Sequence, residues 1–599
     1  IELADDQNRF TTILAKMYLD YTVAPGLDFK VNGGVNTSKS RRDFYMPRGT
    51  TLGDLEGGYA YLGEGSSFNY LTEYTLSYKK TIHKKHRINA VTGYTWQQWT
   101  RKSFNINVLN FPNDNLLYYD LTSGASISKP GTATSQWALA SFIGRVNYSF
   151  DNRYLATFTA RRDGSTRLAE GNKWKFFPSF ALGWNLSNEK FMRDLKAITS
   201  LKLRASYGLS GNQSVSVGAT KARLESTGSV ANESMQIGYT LANMANSTLR
   251  WEMTKQQDLG VDLGRLENRF TFGFDYYKKH TDGLLIGLTI PPSNGFGSYT
   301  TNQGSVENTG YEFDLGGKIL TGRLKWDASG NISFNRNKVI SLGPGVQSFT
   351  GPTFRAVAAQ TLSIAEVGQP IGAFYGYRII GIYQNQQEVE SSPKDPDNTK
   401  PGSFKFKDIS GPDGVPDGAI SADDREIIGT PYPKFSFGIT NNLEFKGFGL
   451  SVLVLGSIGQ DVINANRYNT DALARGLQSN VRQEAYDGRW TGEGTSNKYP
   501  QATTSATPFS NRFTDFIVED ASYVRLKYIT LSYEFQKSQL RFIRNLRLYV
   551  TGGNLVTLTN YQGYDPEINS HGENSMLQGI DSGSIPQYRT FSMGLNVGF

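Results

Sequence analysis

The chain has 599 residues, 38% hydrophobic and 19% charged, with 63 Gly, 33 Tyr, 35 Phe and no Cys. Mean hydropathy is −0.43, and the longest apolar run, 449–458, is broken by Ser451 and Gly456, which excludes a transmembrane helix of roughly 18 apolar residues. An aromatic content of 13% excludes a disordered chain, the lack of Cys excludes disulfides and thiolate metal sites, and a net charge of +8 without a basic block argues against nucleic acid as a partner.

The N-terminus, Ile1-Glu-Leu-Ala-Asp-Asp-Gln, has no Met and no basic stretch followed by an apolar one. It is not a signal peptide. The expectation is a chain whose leader was removed, or a piece of something longer. From there on the hydrophobic period is two, the period of a strand with one apolar and one polar face. In chain order, strands are predicted near 10–23, 27–40, 68–80, 86–99, 136–150, 154–162, 175–187, 200–210, 252–264, 269–280, 306–320, 323–336, 434–446, 447–459, 522–536, 544–558 and 588–599. Leu201, Leu203, Ala205, Tyr207 and Leu209 alternating with Lys202, Arg204, Ser206, Gly208 and Ser210 show the pattern, as do Phe591, Met593, Leu595 and Val597 with their polar neighbours.

The connections carry more information than the strands. Short turns at 24–26, 151–153, 265–269, 320–323 and 446–447 alternate with long polar stretches at 41–67, 100–135, 211–250, 281–305, 337–433, 460–521 and 559–587. A soluble sandwich has no reason to keep that order. A transmembrane β-barrel does, with short periplasmic turns and long extracellular loops. A propeller or β-helix would show a repeat of tens of residues, and the sequence has none. Strands of about 11–14 residues exceed the usual length and suffice to cross a bilayer at a tilt. Aromatics near strand ends (Tyr94, Trp96, Trp99, Trp184, Trp326, Tyr533 and Phe535) fit interfacial girdles. A terminal Phe599 in an alternating strand has the form of a barrel assembly signal.

Seventeen strands is an odd number, whereas single-chain bacterial barrels have even counts. The topology therefore predicts an odd number of further strands ahead of the first.

Several segments resemble the barrel of SusC/RagA-type TonB-dependent outer-membrane transporters of Bacteroidota: Ala140–Tyr148, Arg161–Arg167, Phe177–Trp184, Leu203–Gln213, Gly304–Glu312, Glu519–Lys527 and the ending Arg589–Phe599. The resemblance covers 1–599 and implies the C-terminal part of a barrel of about twenty-two strands, with the plug domain and TonB box outside this chain. It also implies import of a large nutrient, an oligosaccharide or peptide, under a SusD-like surface lipoprotein acting as a lid, with energy from TonB–ExbB–ExbD through an N-terminal segment. Outer-membrane lipid and lipopolysaccharide would surround the barrel. The alternative is a SusC-like barrel that transports nothing and serves as a scaffold for surface or secretion-machinery proteins.

One loop has a chemical signature. Asp413, Asp417, Gly418, Ile420 and Asp424 approximate the EF-hand order, with Ala419 offering its carbonyl and Ser421 a hydroxyl or a bridging water. Val415 stands where a third acidic ligand belongs, so a structural Ca²⁺ site and a metal-free Gly/Asp turn both stay open. His83 and His86 lie among Lys79, Lys80, Lys84, Lys85 and Arg87 and read as a solvated basic turn. No nucleophile elbow and no phosphate loop is present; neither an enzyme nor a redox or organic cofactor is expected. Candidate lumen-facing residues are Glu73, Arg145, Asn147, Arg161, Asn185, Lys202, Arg204 and Arg525. Loop aromatics Phe374, Tyr375, Tyr377 and Tyr383 read as loop packing rather than sugar stacking.

Overall fold

A computed structural model describes residues 4–598 apart from 193, 232–233, 291–292, 294, 355–356, 358–359, 399, 411–413, 472, 474–479, 504–511, 536–542 and 573. Among the described residues there are seventeen long strands: β1 (Asp5–Ala24), β2 (Leu27–Met46), β3 (Tyr59–Ile82), β4 (His86–Leu109), β5 (Gly131–Phe150), β6 (Tyr154–Ser165), β7 (Trp174–Asn185), β8 (Ile198–Asn212), β9 (Glu252–Arg265), β10 (Phe270–Asp282), β11 (Ser305–Thr321), β12 (Leu324–Ser341), β13 (Phe435–Phe445), β14 (Phe448–Ile458), β15 (Tyr523–Phe535), β16 (Asn545–Thr559) and β17 (Thr590–Gly598). With the two-residue strand Ser126–Ile127 they make an 18-stranded sheet. No described helix is long and apolar enough to cross a membrane.

The short turns follow from local chemistry. Lys446 and Gly447 both have positive φ (49° and 86°), the two-residue hairpin geometry that matches strand twist. Gly26 (φ 80°) has a second constraint, because a Cβ there would meet the Lys79 carbonyl oxygen at 2.3 Å.

The expected strand lengths fall short of the observed ones. β3 and β4 each have 24 residues, paired without a break from Ile82↔His86 to Tyr59↔Leu109. Much of 41–67 and 100–135 is therefore sheet rather than loop. The cause is physical: in Lys39-Ser-Arg-Arg-Asp43 both faces are polar, so alternation vanishes while ladder hydrogen bonding continues. The stretches 211–250 and 281–305 likewise contain hairpins, Leu224–Ala231 with Ser234–Leu241 and Leu285–Thr289 with Ser298–Asn302.

The chain divides into two compact units, residues 1–184, 206–255 and 283–302, and residues 185–205, 256–282 and 303–599. In the first, Tyr78, Ala90, Val146, Phe158 and Phe180 stand opposite one another across five strands. Apart from Ala90, which is half-buried, these side chains are exposed. Nearer the short turns, His86, Phe150, Tyr154 and Trp184 form a ring row with successive centroid distances of 5.0, 6.3 and 6.3 Å.

In the second unit, Leu450, Leu531, Val550 and Met593 align across β14–β17, with Met593 84% exposed. Phe448, Tyr533 and Phe535 pack at the short-turn end, with centroids 4.7 and 4.9 Å apart. A water-soluble sheet buries such a face; one that meets acyl chains leaves it bare, with aromatics at its rims. The buried apolar clusters lie at the long-loop end instead. One of them joins Val357, Leu362, Phe374, Phe404, Phe406, Ile463, Phe513 and Ile580 from three long loops of the second unit.

Candidate functional site

The face opposite each apolar row is polar and internally bonded. In the first unit Asn32, Glu73, Thr95, Ser141, Asp163 and Lys175 lie in one row. Asn32 donates to Glu73 at 3.4 Å. Arg161 donates to Asp163 at 2.7 Å and to the Ser141 hydroxyl at 3.0 Å. Arg145 donates to Thr159 at 3.1 Å, and Asn147 accepts from Thr157 at 2.9 Å. Four of the expected lumen residues, Glu73, Arg145, Asn147 and Arg161, thus share the polar face, each tied to a neighbouring strand.

In the second unit Asp327, Asn442, Ser451, Thr530, Thr551 and Ser592 form the corresponding row. Ser451 donates to Asn442 at 2.6 Å, and the Thr530 and Thr551 hydroxyls are 2.8 Å apart. Arg204 lies on the polar side of β8 and holds two carboxylates, Asp262 and Asp275, at 2.8–3.0 Å. Lys202 precedes it by one period on the same strand, and Asn185 ends β7.

Arg525 differs from the expectation. It is 1% exposed and donates to Asp565 at 2.6 Å, Glu567 at 2.7 Å and Thr557 at 2.9 Å. The segment after β16 folds back over this end of β15, so the guanidinium ties a loop down rather than facing open space.

The long loops of the second unit form a folded assembly stitched by further buried ion pairs that sequence reasoning missed. Asp471, 0% exposed, accepts from Arg467 at 2.8 Å and from both ends of the Arg482 fork at 2.6 Å. Burial alone would push its carboxyl up, but the Arg482 and Arg467 hydrogen bonds hold it below the ordinary carboxylate range. Arg467 also reaches Glu519 at 3.0 Å. Arg512 grips Asp395 with two bonds of 2.8 and 3.0 Å. Asp461 and Asp515 are raised, burial being the main cause in both. Partners such as Arg512 and Asp395 lie more than a hundred residues apart, so no spacing signal could have found them.

Phe374, Tyr377 and Tyr383 are buried at 1%, 9% and 2% exposure, and Tyr375 lies under the Arg425 guanidinium at 4.4 Å. They pack the loops. His86 bonds the Tyr148 hydroxyl at 2.8 Å, and His83 is exposed.

In the Asp-rich loop, Asp424 accepts from the backbone N–H groups of Ile409, Ser410 and Ser421 at 2.9, 3.2 and 2.6 Å. Asp417 accepts from Ala419 N–H at 2.9 Å, and Asp408 from Gly418 N–H at 2.9 Å. Ser421 caps the turn 422–424. The carboxylates here close a loop by hydrogen bonding. Asp413 and Phe599 lie outside the described residues, and among the described residues no group of three or more His, Asp or Glu is placed to hold a metal ion.

A sheet with a bare apolar face, a bonded polar face, aromatic rims and turns short at one end only defines an outer-membrane β-barrel protein. The chain belongs to the family described as "TonB dependent receptor-like, beta-barrel", which matches residues 2–411, and is of the SusC/RagA type. It is 34% identical to TonB-dependent receptor P3 of Formosa agariphila over 99% of this chain and 58% of the relative. It is 32% identical to TonB-dependent receptor SusC of Bacteroides thetaiotaomicron over 86% of this chain and 47% of the relative. The RagAB peptide transporter structure shares the fold, with a TM-score of 0.83 at 24% identity over 100% of this chain and 63% of that one. The chain spans less than two thirds of the length of these relatives. They are named receptors and transporters, not enzymes, and the family places the chain in the outer membrane.

Proposed function

We propose that this chain is the barrel part of an importer that brings a large nutrient, an oligosaccharide or a peptide, across the outer membrane. The long-loop end is then extracellular and receives a SusD-like lipoprotein lid; TonB–ExbB–ExbD supplies the energy, since the outer membrane holds no ATP. The observation that carries this reading is the folded loop assembly of the second unit. Loops that order themselves around a shared apolar core and buried ion pairs present a fixed surface, which a lid can dock on repeatedly without an ordering cost at each closure. The polar faces, lined by side chains already bonded to one another, suit passage of a hydrated solute rather than tight retention. The likeness to SusC and to the RagAB peptide transporter supports the reading but leaves the solute class open.

The test is uptake of fluorescent oligosaccharides and peptides by cells carrying the intact receptor, compared with cells lacking it or lacking TonB. Uptake of either class that needs both supports the proposal. Uptake that persists without TonB, or a receptor that co-purifies no surface lipoprotein, overturns it.

A further inference from the structure

Four strands of the second unit, β10–β13, together with the end of β9 enclose a groove on their apolar face with a volume of about 630 Å³. Its floor is made of small residues in register. Gly317 stands opposite Ala328, and Gly330 opposite Leu315 on one side and Ile439 on the other. Phe270, Phe313 and Ile439 form its sides. The Phe270 ring leans over Gly317, where an added Cβ would come within 2.9 Å of it. Elsewhere on this face bulky side chains fill the surface; here they are missing from three neighbouring positions. Because the face meets acyl chains, an unfilled groove would forfeit dispersion contacts on every lining atom.

The end of the groove lies at the short-turn rim, and it is basic. Arg265 lines it and is exposed. The Arg269 guanidinium stands 5.5 Å from the Phe270 ring centroid while donating to the carbonyls of Lys318 and Ile319 at 2.7 Å. Arginines at the interface above an apolar groove match a phosphate attached to a hydrocarbon chain. The rim of short turns faces the phospholipid leaflet in the orientation proposed above, which selects phospholipid over lipid A.

We propose that this groove holds one acyl chain of an anionic phospholipid, with its phosphate at Arg265 and Arg269. The site rests on the membrane placement of the sheet and on the orientation proposed above, not on which solute is carried or how transport is driven.

The experiment is native mass spectrometry of the purified, delipidated receptor in mild detergent with phosphatidylglycerol, phosphatidylethanolamine or lipid A added back. One phosphatidylglycerol should be retained at least about fivefold better than phosphatidylethanolamine. Gly330→Leu fills the groove without disturbing the backbone, since a Cβ there meets its nearest atoms at 3.4 and 3.7 Å. Arg265→Gln leaves the groove open and removes a rim charge. Each should lower phosphatidylglycerol retention to the phosphatidylethanolamine level while heat-modifiable gel mobility stays that of the folded receptor. Equal retention by the receptor and both variants overturns the proposal, as does preferential retention of lipid A. If Gly330→Leu fails to fold, Arg265→Gln alone decides.

Discussion

Asp471 and Arg525 show what single residues contribute at the long-loop end. Each is a buried charge held by several partners, which lie four and eleven residues away for Asp471 and 32 to 42 residues away for Arg525, and removing one partner leaves the other charged and desolvated. Arg525→Met strands Asp565, which is 4% exposed, and should cost about 3–5 kcal/mol, read as a lower midpoint in thermal unfolding followed by near-ultraviolet circular dichroism. Adding Asp565→Asn should recover part of that loss. Asp471 predicts a pH dependence. Its folded carboxyl lies below its unfolded value of about 3.9, so the stability it supplies is complete above that value and disappears as pH falls through the folded one. Asp471→Asn should be less stable at neutral pH yet lose less stability on acidification below about pH 5, in the same unfolding assay. Asp461 and Asp515 run the opposite way, because a raised folded value makes stability fall as pH rises through the window between unfolded and folded values. A steeper acid loss in Asp471→Asn than in the parent would contradict this assignment.

At the scale of the strand, facing direction decides the effect of a substitution. Val550 is 51% exposed on the apolar face, and the next residue, Thr551, bonds Thr530 on the polar face. Val550→Arg should destabilise by about 2–4 kcal/mol if its depth is near the bilayer midplane, whereas Thr551→Arg should cost less than half as much. Denaturant titration of the receptor in lipid vesicles compares the two. Lys446-Gly447 gives a second strand-level prediction: Gly447→Val forces a β-branched side chain to φ 86° and should slow assembly into heat-modifiable receptor, because the hairpin β13–β14 closes on that turn.

For the whole molecule, the loops of the second unit should behave as one cooperative body. Their apolar core draws on the segments between β12 and β13, between β14 and β15 and after β16, so a cut in one loop weakens the others. Phe406→Ala, at a side chain 1% exposed, should cost about 3–5 kcal/mol and open all three segments to limited proteolysis together, leaving the strands intact. Cleavage confined to the substituted loop would show instead that the loops fold independently.

How much of this was legible beforehand can be followed at particular residues. The seventeen strands were readable because membrane strands must alternate: Phe591, Met593, Leu595 and Val597 have no other explanation at that spacing. Their true ends were not readable, because above the apolar band a residue such as Arg41 or Ser103 pairs with its neighbour strand while both of its faces meet water. Glu73, Arg161 and Arg204 stand on the polar side of their strands, the side that period indicates, since a strand has only two sides. Arg525 was misread, because a register shift between Leu526 and Tyr528 breaks the period of its strand and a segment some forty residues later folds over it.

The sequence by itself determined the sheet, the order of its turns, the side each strand shows to lipid and the family to which the chain belongs, because all of these follow from local periodicity and short-range turn chemistry. The tertiary structure alone decided that the long loops share a core, that Arg512 holds Asp395, that Asp424 serves backbone N–H groups and that three small residues open a groove in the apolar face. The loop core, the Arg512 pair and the groove need atoms brought together from different segments of the chain, Asp424 needs a loop closed on itself, and the free energy of such contacts leaves no periodic trace in the order of the residues.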